Sequence, residues 1–212
     1  MVEYRPEKSE LEEAKEIAAK GIEKASKSLP KTKEVKIGFG WTEDPFVLNN
    51  MDGVSGKSYS ETYFTLNFNT EIENWKDSLL AQTVHEYGHT WFYEQLDKQY
   101  AKLLWRYIID EALTQNLTEK LVPEFESPWR KKHSKKAIAE YWPQIKENLD
   151  RDVNHPDPLY INQSKEGYPN WLGYSLSYLI GKELLEKHEL EDFNRLEKQD
   201  VIKAGDRIFG GE

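Results

Sequence analysis

The amino-acid sequence predicts an α+β fold, in which a small N-terminal β-sheet with one helix precedes a mostly helical C-terminal part. Short segments with alternating apolar residues lie in the first third of the chain, and long segments with apolar residues at helical spacing follow from residue 75. The chain has 212 residues, which fits one domain. We therefore expect a single domain, with a helix and sheet in residues 1–74 and helices in residues 75–212.

The N-terminal part contains one predicted helix and two predicted strands. Residues 7–29 carry apolar side chains at three- and four-residue steps and are followed by Pro30, which is typical of a helix. Residues 34–41 and 59–69 alternate in polarity, which predicts two half-buried strands. The segment 42–58 is rich in Asp, Asn, Gly and Ser and is predicted to be a loop.

The C-terminal part is predicted to be a series of helices. They span residues 75–97, 101–122, 133–150 and 171–188, and the last of these is the final clear helix. Residues 103–109 are apolar almost all round, which predicts burial on most sides. A proline-containing link at 123–130 and a long loop at 152–170 separate the later helices.

The composition excludes several kinds of site and partner. The chain has no cysteine and a formal net charge of −9. Disulfides and thiolate ligands are therefore excluded, and a metal site must use histidines and carboxylates. The acidic charge argues against binding to nucleic acid or to anionic membranes. Since we find no secretory leader and no run of about 18 apolar residues, we expect a soluble, cytoplasmic protein.

His85, Glu86 and His89 form an H-E-x-x-H motif inside the predicted helix 75–97. Residues four apart lie on the same helical face, so both imidazoles can reach one metal ion. Glu86 lies about 100° round the helix axis from His85, where a carboxylate can take a proton from an activated water molecule. The motif predicts a catalytic zinc site with His85 and His89 as ligands and Glu86 as the general base.

A catalytic zinc ion normally has three protein ligands and an open position for water. Glu111 is the best third candidate, because an acidic pair directly after a strongly apolar run needs a neutralising partner when it is buried. Asp110 competes with it, since adjacent helical positions cannot both point at one metal ion. If Glu111 is the ligand, Asp110 can orient a ligating histidine. His155 in the long loop is a weaker candidate.

The motif and the segment Asp110–Gln115 together resemble the gluzincins, the thermolysin-like metallopeptidases. The second zinc helix of that family carries Asn-Glu-x-x-Ser-Asp, in which Glu111 matches the ligand, Thr114 replaces the Ser and Gln115 replaces the Asp. The family's Asp supports a zinc histidine, which Gln115 could do only as a neutral acceptor. The resemblance implies a zincin-like core and an extended peptide substrate that pairs with the edge strand beside the zinc helix. On this resemblance, segment 59–69 is the strand expected to pair with the peptide substrate.

A closer resemblance covers more of the chain. Three segments carry it: HEYGHTWFYEQL, IIDEALTQNLTEKL and YPNWLGYSLSYLIGKELLEKH. They are similar to a poorly characterised microbial family of predicted zinc-dependent proteases, in which a Gly-Tyr helix follows the zinc helices. The resemblance implies a zinc metallopeptidase acting on a peptide or protein. A non-catalytic zinc-binding protein on this fold and a zinc hydrolase of a non-peptide amide or ester stay open, although Glu86 favours an enzyme.

Peptide hydrolysis requires a second donor for the tetrahedral oxyanion. Tyr174 is predicted to supply it, since Trp171, Tyr174 and Tyr178 fall on one face of the predicted helix 171–188. The alternative is an aromatic stripe of the core. Tyr168 and Arg106 are further candidates.

Two other segments invite functional interpretations that we reject. Gly53–Ser58 resembles part of a phosphate-binding loop, but Met51 stands where that motif needs glycine, so we expect a flexible loop. The basic run 130–136 is predicted to be the solvated start of a helix.

Overall fold

The computed structural model describes residues 6–96, 102–153, 157–160 and 167–210. It confirms the α+β class, with a three-stranded sheet and a mostly helical remainder. The helices are α1 (Lys8–Ser28), α2 (Pro45–Asn50), α3 (Trp75–Gln95), α4 (Leu104–Leu121), α5 (Lys135–Ala139), α6 (Trp142–Glu147), α7 (Leu172–Leu184) and α8 (Lys198–Phe209), and the strands are β1 (Lys36–Trp41), β2 (Val54–Ser60) and β3 (Tyr63–Phe68). Within the described ranges, no helix combines the length and apolar character needed to cross a bilayer.

The chain divides into two compact units. The first unit contains Met1–Glu94 and Leu117–Glu126, and the second contains Gln95–Asn116 and Ser127–Glu212. The first unit includes the sheet, and the second includes α5 to α8 and a 3-10 helix at Leu190–Arg195.

The sheet of the first unit has the strand order β1-β3-β2. β1 runs parallel to the central strand β3, and β2 runs antiparallel to it. β3 alternates as predicted, because Phe64, Leu66 and Phe68 are fully buried on its inner face. The inner face forms a core cluster with residues of α1 and α3, namely Ala14, Ala18, Trp75 and Leu79.

The first helix lies close to α3, which carries the predicted metal ligands. The buried residues of α1 are all small: Ala14, Ala18, Gly21 and Ala25. A Cβ on Gly21 would lie 2.8 Å from the Thr83 side chain, so the two helices approach too closely for any larger residue at this position. This contact supports α3 two residues before His85.

A buried ion pair supports the C-terminal end of α3. Lys31 Nζ lies 3.0 Å from Glu94, and the two side chains are only 3% and 6% exposed. Lys31 Nζ also donates to the carbonyl oxygens of Glu61 and Thr90 at 2.8 and 2.6 Å. Burial lowers the pKa of Lys31. Burial acts to raise the pKa of Glu94, but hydrogen bonds from Thr32 and Lys31 lower it overall. These partners offset the cost of burying both charges.

The prediction of a loop at 42–58 is wrong, and so is the prediction of one continuous strand at 59–69. The first segment contains α2 and β2, and the second contains the end of β2, a turn and β3. α2 begins with a local signal, since the Asp44 side chain accepts a hydrogen bond from the Phe46 amide at 2.8 Å. β2 lacks visible alternation because Gly56 and Ser58 occupy inner-face positions where large apolar residues would otherwise stand. The flexible loop expected at Gly53–Ser58 is therefore mostly a strand.

In the second unit, the prediction of one helix at 133–150 is wrong. The chain forms α5 and α6 instead, and Pro143 lies in the first turn of α6. Proline has no backbone N–H and clashes with the preceding turn, so it breaks a helix in its interior but is tolerated at the start of one.

The prediction that helix 171–188 is the last one is also wrong, because α8 follows α7. α8 begins with a capping box between Glu197 and Asp200, which is a helix start signal in the sequence. Its position depends on close packing, since a Cβ on Gly205 would lie 2.1 Å from the Trp142 ring. Trp142 Nε1 also donates to Asp206 at 2.9 Å.

Candidate metal centre

The H-E-x-x-H motif lies in the middle of α3 as predicted. His85, Glu86 and His89 are 7%, 4% and 7% exposed. Every residue from 81 to 92 is buried, so α3 presents no solvent-exposed face around the motif. Buried polar side chains need partners, so the surroundings of these three residues determine what they can do.

The two histidine rings of the motif face each other. His85 Nε2 and His89 Nε2 lie 3.1 Å apart, and the ring planes meet at 85°. A tetrahedral zinc ion with Zn–N bonds of about 2.0–2.1 Å brings two ligating nitrogens to about 3.3 Å from each other. The measured separation is close to that value. The His89 ring also stacks on Tyr93, with ring centroids 6.1 Å apart.

Strand β2 positions the Glu86 side chain. Ser58 Oγ lies 2.7 Å from Glu86 Oε2, to which it donates, and 3.0 Å from the main-chain oxygen of Glu86. A Cβ on Gly56 would lie 2.5 Å from Glu86 Cγ and Oε1, so the carboxylate occupies space that any larger residue would fill. Sequence reasoning missed both residues, although two small residues two positions apart share one face of a strand.

Glu111 lies in α4 and is only 2% exposed. Gln115 Nε2 lies 3.3 Å from Glu111 Oε2, to which it donates, and Thr114 Oγ1 lies 3.1 Å from the main-chain oxygen of Glu111. Burial is the main reason that the pKa of Tyr160 is raised well above its ordinary value, and the negative charge of Glu111 raises it further. Gln115 and Tyr160 therefore form part of the electrostatic environment of this carboxylate. The sequence analysis did not single out Tyr160.

Close packing in the second unit fixes the turn of α4 next to Glu111. A Cβ on Gly181 in α7 would lie 2.2 Å from Asn116 Nδ2 and 2.9 Å from the carbonyl oxygen of Ala112. Asn116 Nδ2 donates to the carbonyl oxygens of Ala112 and Tyr178 at 2.8 and 3.2 Å. This side-chain amide therefore links α4 to α7, one residue after Gln115.

His85, His89 and Glu111 form a group that can hold a metal ion. One ligand atom from each side chain lies within 4.8 Å of the others. Two imidazoles and one carboxylate are a donor set that suits a catalytic zinc ion, so the residues present fit this metal. Asp110 is equally buried, and its charge acts on Arg106. His155 lies outside the described residues.

The predicted oxyanion donor Tyr174 lies in an aromatic cluster of the second unit. Its ring packs edge-on against Tyr160, with centroids 5.3 Å apart, and lies 6.4 Å from the ring of Trp129. Tyr174 is partly exposed. The Tyr160 hydroxyl lies 2.7 Å from Ser177 Oγ. Tyr174 therefore contacts Tyr160, whose pKa is raised in part by the negative charge of Glu111.

The two further candidates for an oxyanion donor have identified partners elsewhere. The Tyr168 ring packs against Tyr141, with centroids 5.9 Å apart. Arg106 donates from its two terminal nitrogens to the carbonyl oxygens of Leu196 and Asn194, both at 3.0 Å. These bonds give the Arg106 guanidinium a role in holding the chain around the 3-10 helix.

Comparison with known proteins identifies a family. A family model described as "Predicted Zn-dependent protease (DUF2268)" matches residues 15–203. No curated protein and no solved structure gives a significant match. The matched range contains the H-E-x-x-H motif, Glu111 and Tyr174. The chain therefore belongs to this family of predicted Zn-dependent proteases.

Proposed function

We propose that this protein is a zinc metallopeptidase of the gluzincin type that hydrolyses peptide bonds. The observation that carries the proposal is the group of His85, His89 and Glu111, with the Glu86 carboxylate held in place by strand β2. Membership in a family of predicted Zn-dependent proteases supports it. A general base beside a metal group serves hydrolysis, whereas a purely structural metal site has no use for one.

In this proposal, Nε2 of His85, Nε2 of His89 and a carboxylate oxygen of Glu111 hold the zinc ion. When bound, the zinc ion supplies a Lewis acid that lowers the pKa of a water molecule and polarises the scissile carbonyl group. Glu86 accepts a proton from the attacking water and then gives it to the leaving amine nitrogen. Ser58 Oγ donates a hydrogen bond to Oε2 of Glu86 and so orients this carboxylate.

We assign peptide binding to β2, which replaces the earlier assignment to segment 59–69. Most of that segment is β3, which is paired on both sides, whereas β2 is an edge strand of the described sheet. An edge strand offers main-chain N–H and C=O groups that can pair with an extended peptide. Because Ser58 belongs to β2 and bonds to Glu86, a peptide paired there would lie alongside the proposed base.

Metal analysis combined with a cleavage assay tests the proposed function. We expect the purified protein to contain about one zinc ion per chain, because the site has three protein ligands. The single changes His85→Ala, His89→Ala and Glu111→Ala should each remove most of this zinc, and chelation should stop cleavage of a broad peptide pool until zinc is restored. His188→Ala, which lies elsewhere in the chain, is the matched control.

Two outcomes would contradict the proposal. Full zinc content in the His89→Ala variant would show that the metal is bound elsewhere. A wild-type protein that binds zinc but cleaves no peptide would favour a non-catalytic zinc-binding protein or a hydrolase of another amide or ester.

Tyr174 is proposed as the second donor to the tetrahedral oxyanion. We expect Tyr174→Phe to lower kcat by about 10²–10³-fold, as loss of an oxyanion donor does in other hydrolases. The zinc content should stay unchanged, because the hydroxyl is not a ligand in this proposal. Tyr141→Phe is the control, since the Tyr141 ring packs against Tyr168 and Tyr141 has no role in this proposal. An unchanged kcat for Tyr174→Phe would remove the residue from the mechanism.

A further inference from the structure

The outer face of the sheet exposes two large aromatic side chains. Tyr59 in β2 is 57% exposed and Tyr63 in β3 is 40% exposed. Their rings stack with centroids 5.6 Å apart and an angle of 28° between the ring planes. Lys57 Nζ lies 5.3 Å from the centroid of the Tyr59 ring. Exposed aromatic rings next to a cation are a common composition of binding surfaces.

Two glycines in β1 make room on this face for side chains of the central strand β3. A Cβ on Gly38 would lie 2.6 Å from the Tyr63 hydroxyl oxygen, and a Cβ on Gly40 would lie 2.4 Å from Asn67 Oδ1. Side chains of the central strand therefore lie across β1, where larger residues would displace them. The Tyr63 ring is held against the sheet and supports the Tyr59 ring beside it.

Lys57 and Tyr59 flank Ser58, which bonds to the proposed base Glu86 from the inner face. The register of β2 shifts between Ser58 and Ser60, so the face of Tyr59 follows from its contacts: its ring stacks on Tyr63 and lies under Lys57 Nζ. Lys57 and Tyr59 therefore share the outer face. A peptide paired with β2 would place every second side chain on this outer face, opposite these two residues. The same pairing would place its main chain alongside Glu86.

We propose that Lys57 and Tyr59 determine substrate specificity, by selecting peptides with an acidic residue and an aromatic or large apolar residue two positions apart. This inference rests on the proposed peptidase function. The Lys57 ammonium lies against the Tyr59 ring and has charge complementary to a substrate carboxylate. The exposed Tyr59 ring, supported by Tyr63, offers a stacking surface for the second side chain.

Cleavage of matched peptides tests this inference. The peptides carry Asp-x-Phe or Phe-x-Asp near the scissile bond, since the substrate strand can run in either direction, and their partners carry Lys in place of Asp. We expect the wild-type protein to prefer the Asp peptides in kcat/KM by about two- to fivefold, the range typical of exposed ion pairs. The preference should fall as ionic strength rises.

Substitutions on the outer face of the sheet show which residues cause the preference for the Asp peptides. Lys57→Glu should reverse the preference in favour of the Lys peptides, and Tyr59→Ser should remove the advantage of Phe over Ala. Lys36→Glu is the matched control, because Lys36 lies in β1 on the same face and away from β2. A reversed preference cannot result from misfolding, which would lower the cleavage of both peptides.

The outcomes separate this inference from the proposed function. If wild type cleaves peptides but Lys57→Glu leaves the preference unchanged, the specificity role is wrong and the peptidase function stands. If wild type cleaves no peptide under conditions where zinc is bound, the proposed function itself fails.

Discussion

Glu86→Gln is expected to lower kcat/KM for peptide cleavage by about 10²–10⁴-fold, the contribution typical of a general base. The amide has nearly the same shape as the carboxylate but cannot accept the proton. Its oxygen can still accept the hydrogen bond from Ser58, so the side chain should stay in place. Zinc should remain bound, because Glu86 is not a member of the group formed by His85, His89 and Glu111.

The measurement is peptide cleavage beside elemental analysis of the same preparation. Glu73→Gln is the matched control, since Glu73 is exposed just before α3 and the same charge is removed. Activity of Glu86→Gln within twofold of wild type would exclude Glu86 as the base. Loss of zinc from this variant would instead place Glu86 among the ligands.

Gly56→Ala is expected to lower kcat by about 10²-fold, which is the cost of misplacing a reacting group by about 1 Å. The added methyl group would lie 2.5 Å from Glu86 Cγ and Oε1, so the carboxylate must move. The atoms that have to yield belong to a flexible side chain, so catalysis should suffer more than folding. Overpacking of this kind costs about 1–3 kcal/mol in stability.

Thermal unfolding and kinetics, measured together, check this expectation. Gly40→Ala is the control, because its methyl group would displace Asn67 on the outer face of the same sheet, away from Glu86. Wild-type kcat in Gly56→Ala would show that the position of the Glu86 carboxylate does not limit catalysis. Equal losses in both variants would indicate a general effect on the sheet.

Local patterns in the sequence were sufficient to predict much of the secondary structure. The structure has α1 at Lys8–Ser28 and α3 at Trp75–Gln95, within two residues of the predicted helices. Both depend on contacts between residues three and four apart in the chain, which a sequence displays directly. Pro143 was also visible, but the break it causes between α5 and α6 was not inferred from it.

Strand β2 could not be predicted from its own residues. Gly56 and Ser58 stand where a strand normally shows large apolar residues, because the space above them is occupied by the Glu86 side chain. The reason for the small residues is therefore Glu86, which lies 28 positions after Ser58. The same holds for Gly181, whose absent side chain makes room for Asn116 of α4.

The sequence by itself determined the chemistry of the candidate site. The four-residue spacing of His85 and His89 places both rings on one face of any α-helix, and the chain lacks cysteine, so the donors had to be nitrogen and oxygen. Only the tertiary structure decided which groups hold the Glu86 carboxylate, because the strand that supplies them is brought there by long-range packing. Helical spacing is a local property of the backbone, whereas these partners depend on contacts between distant segments.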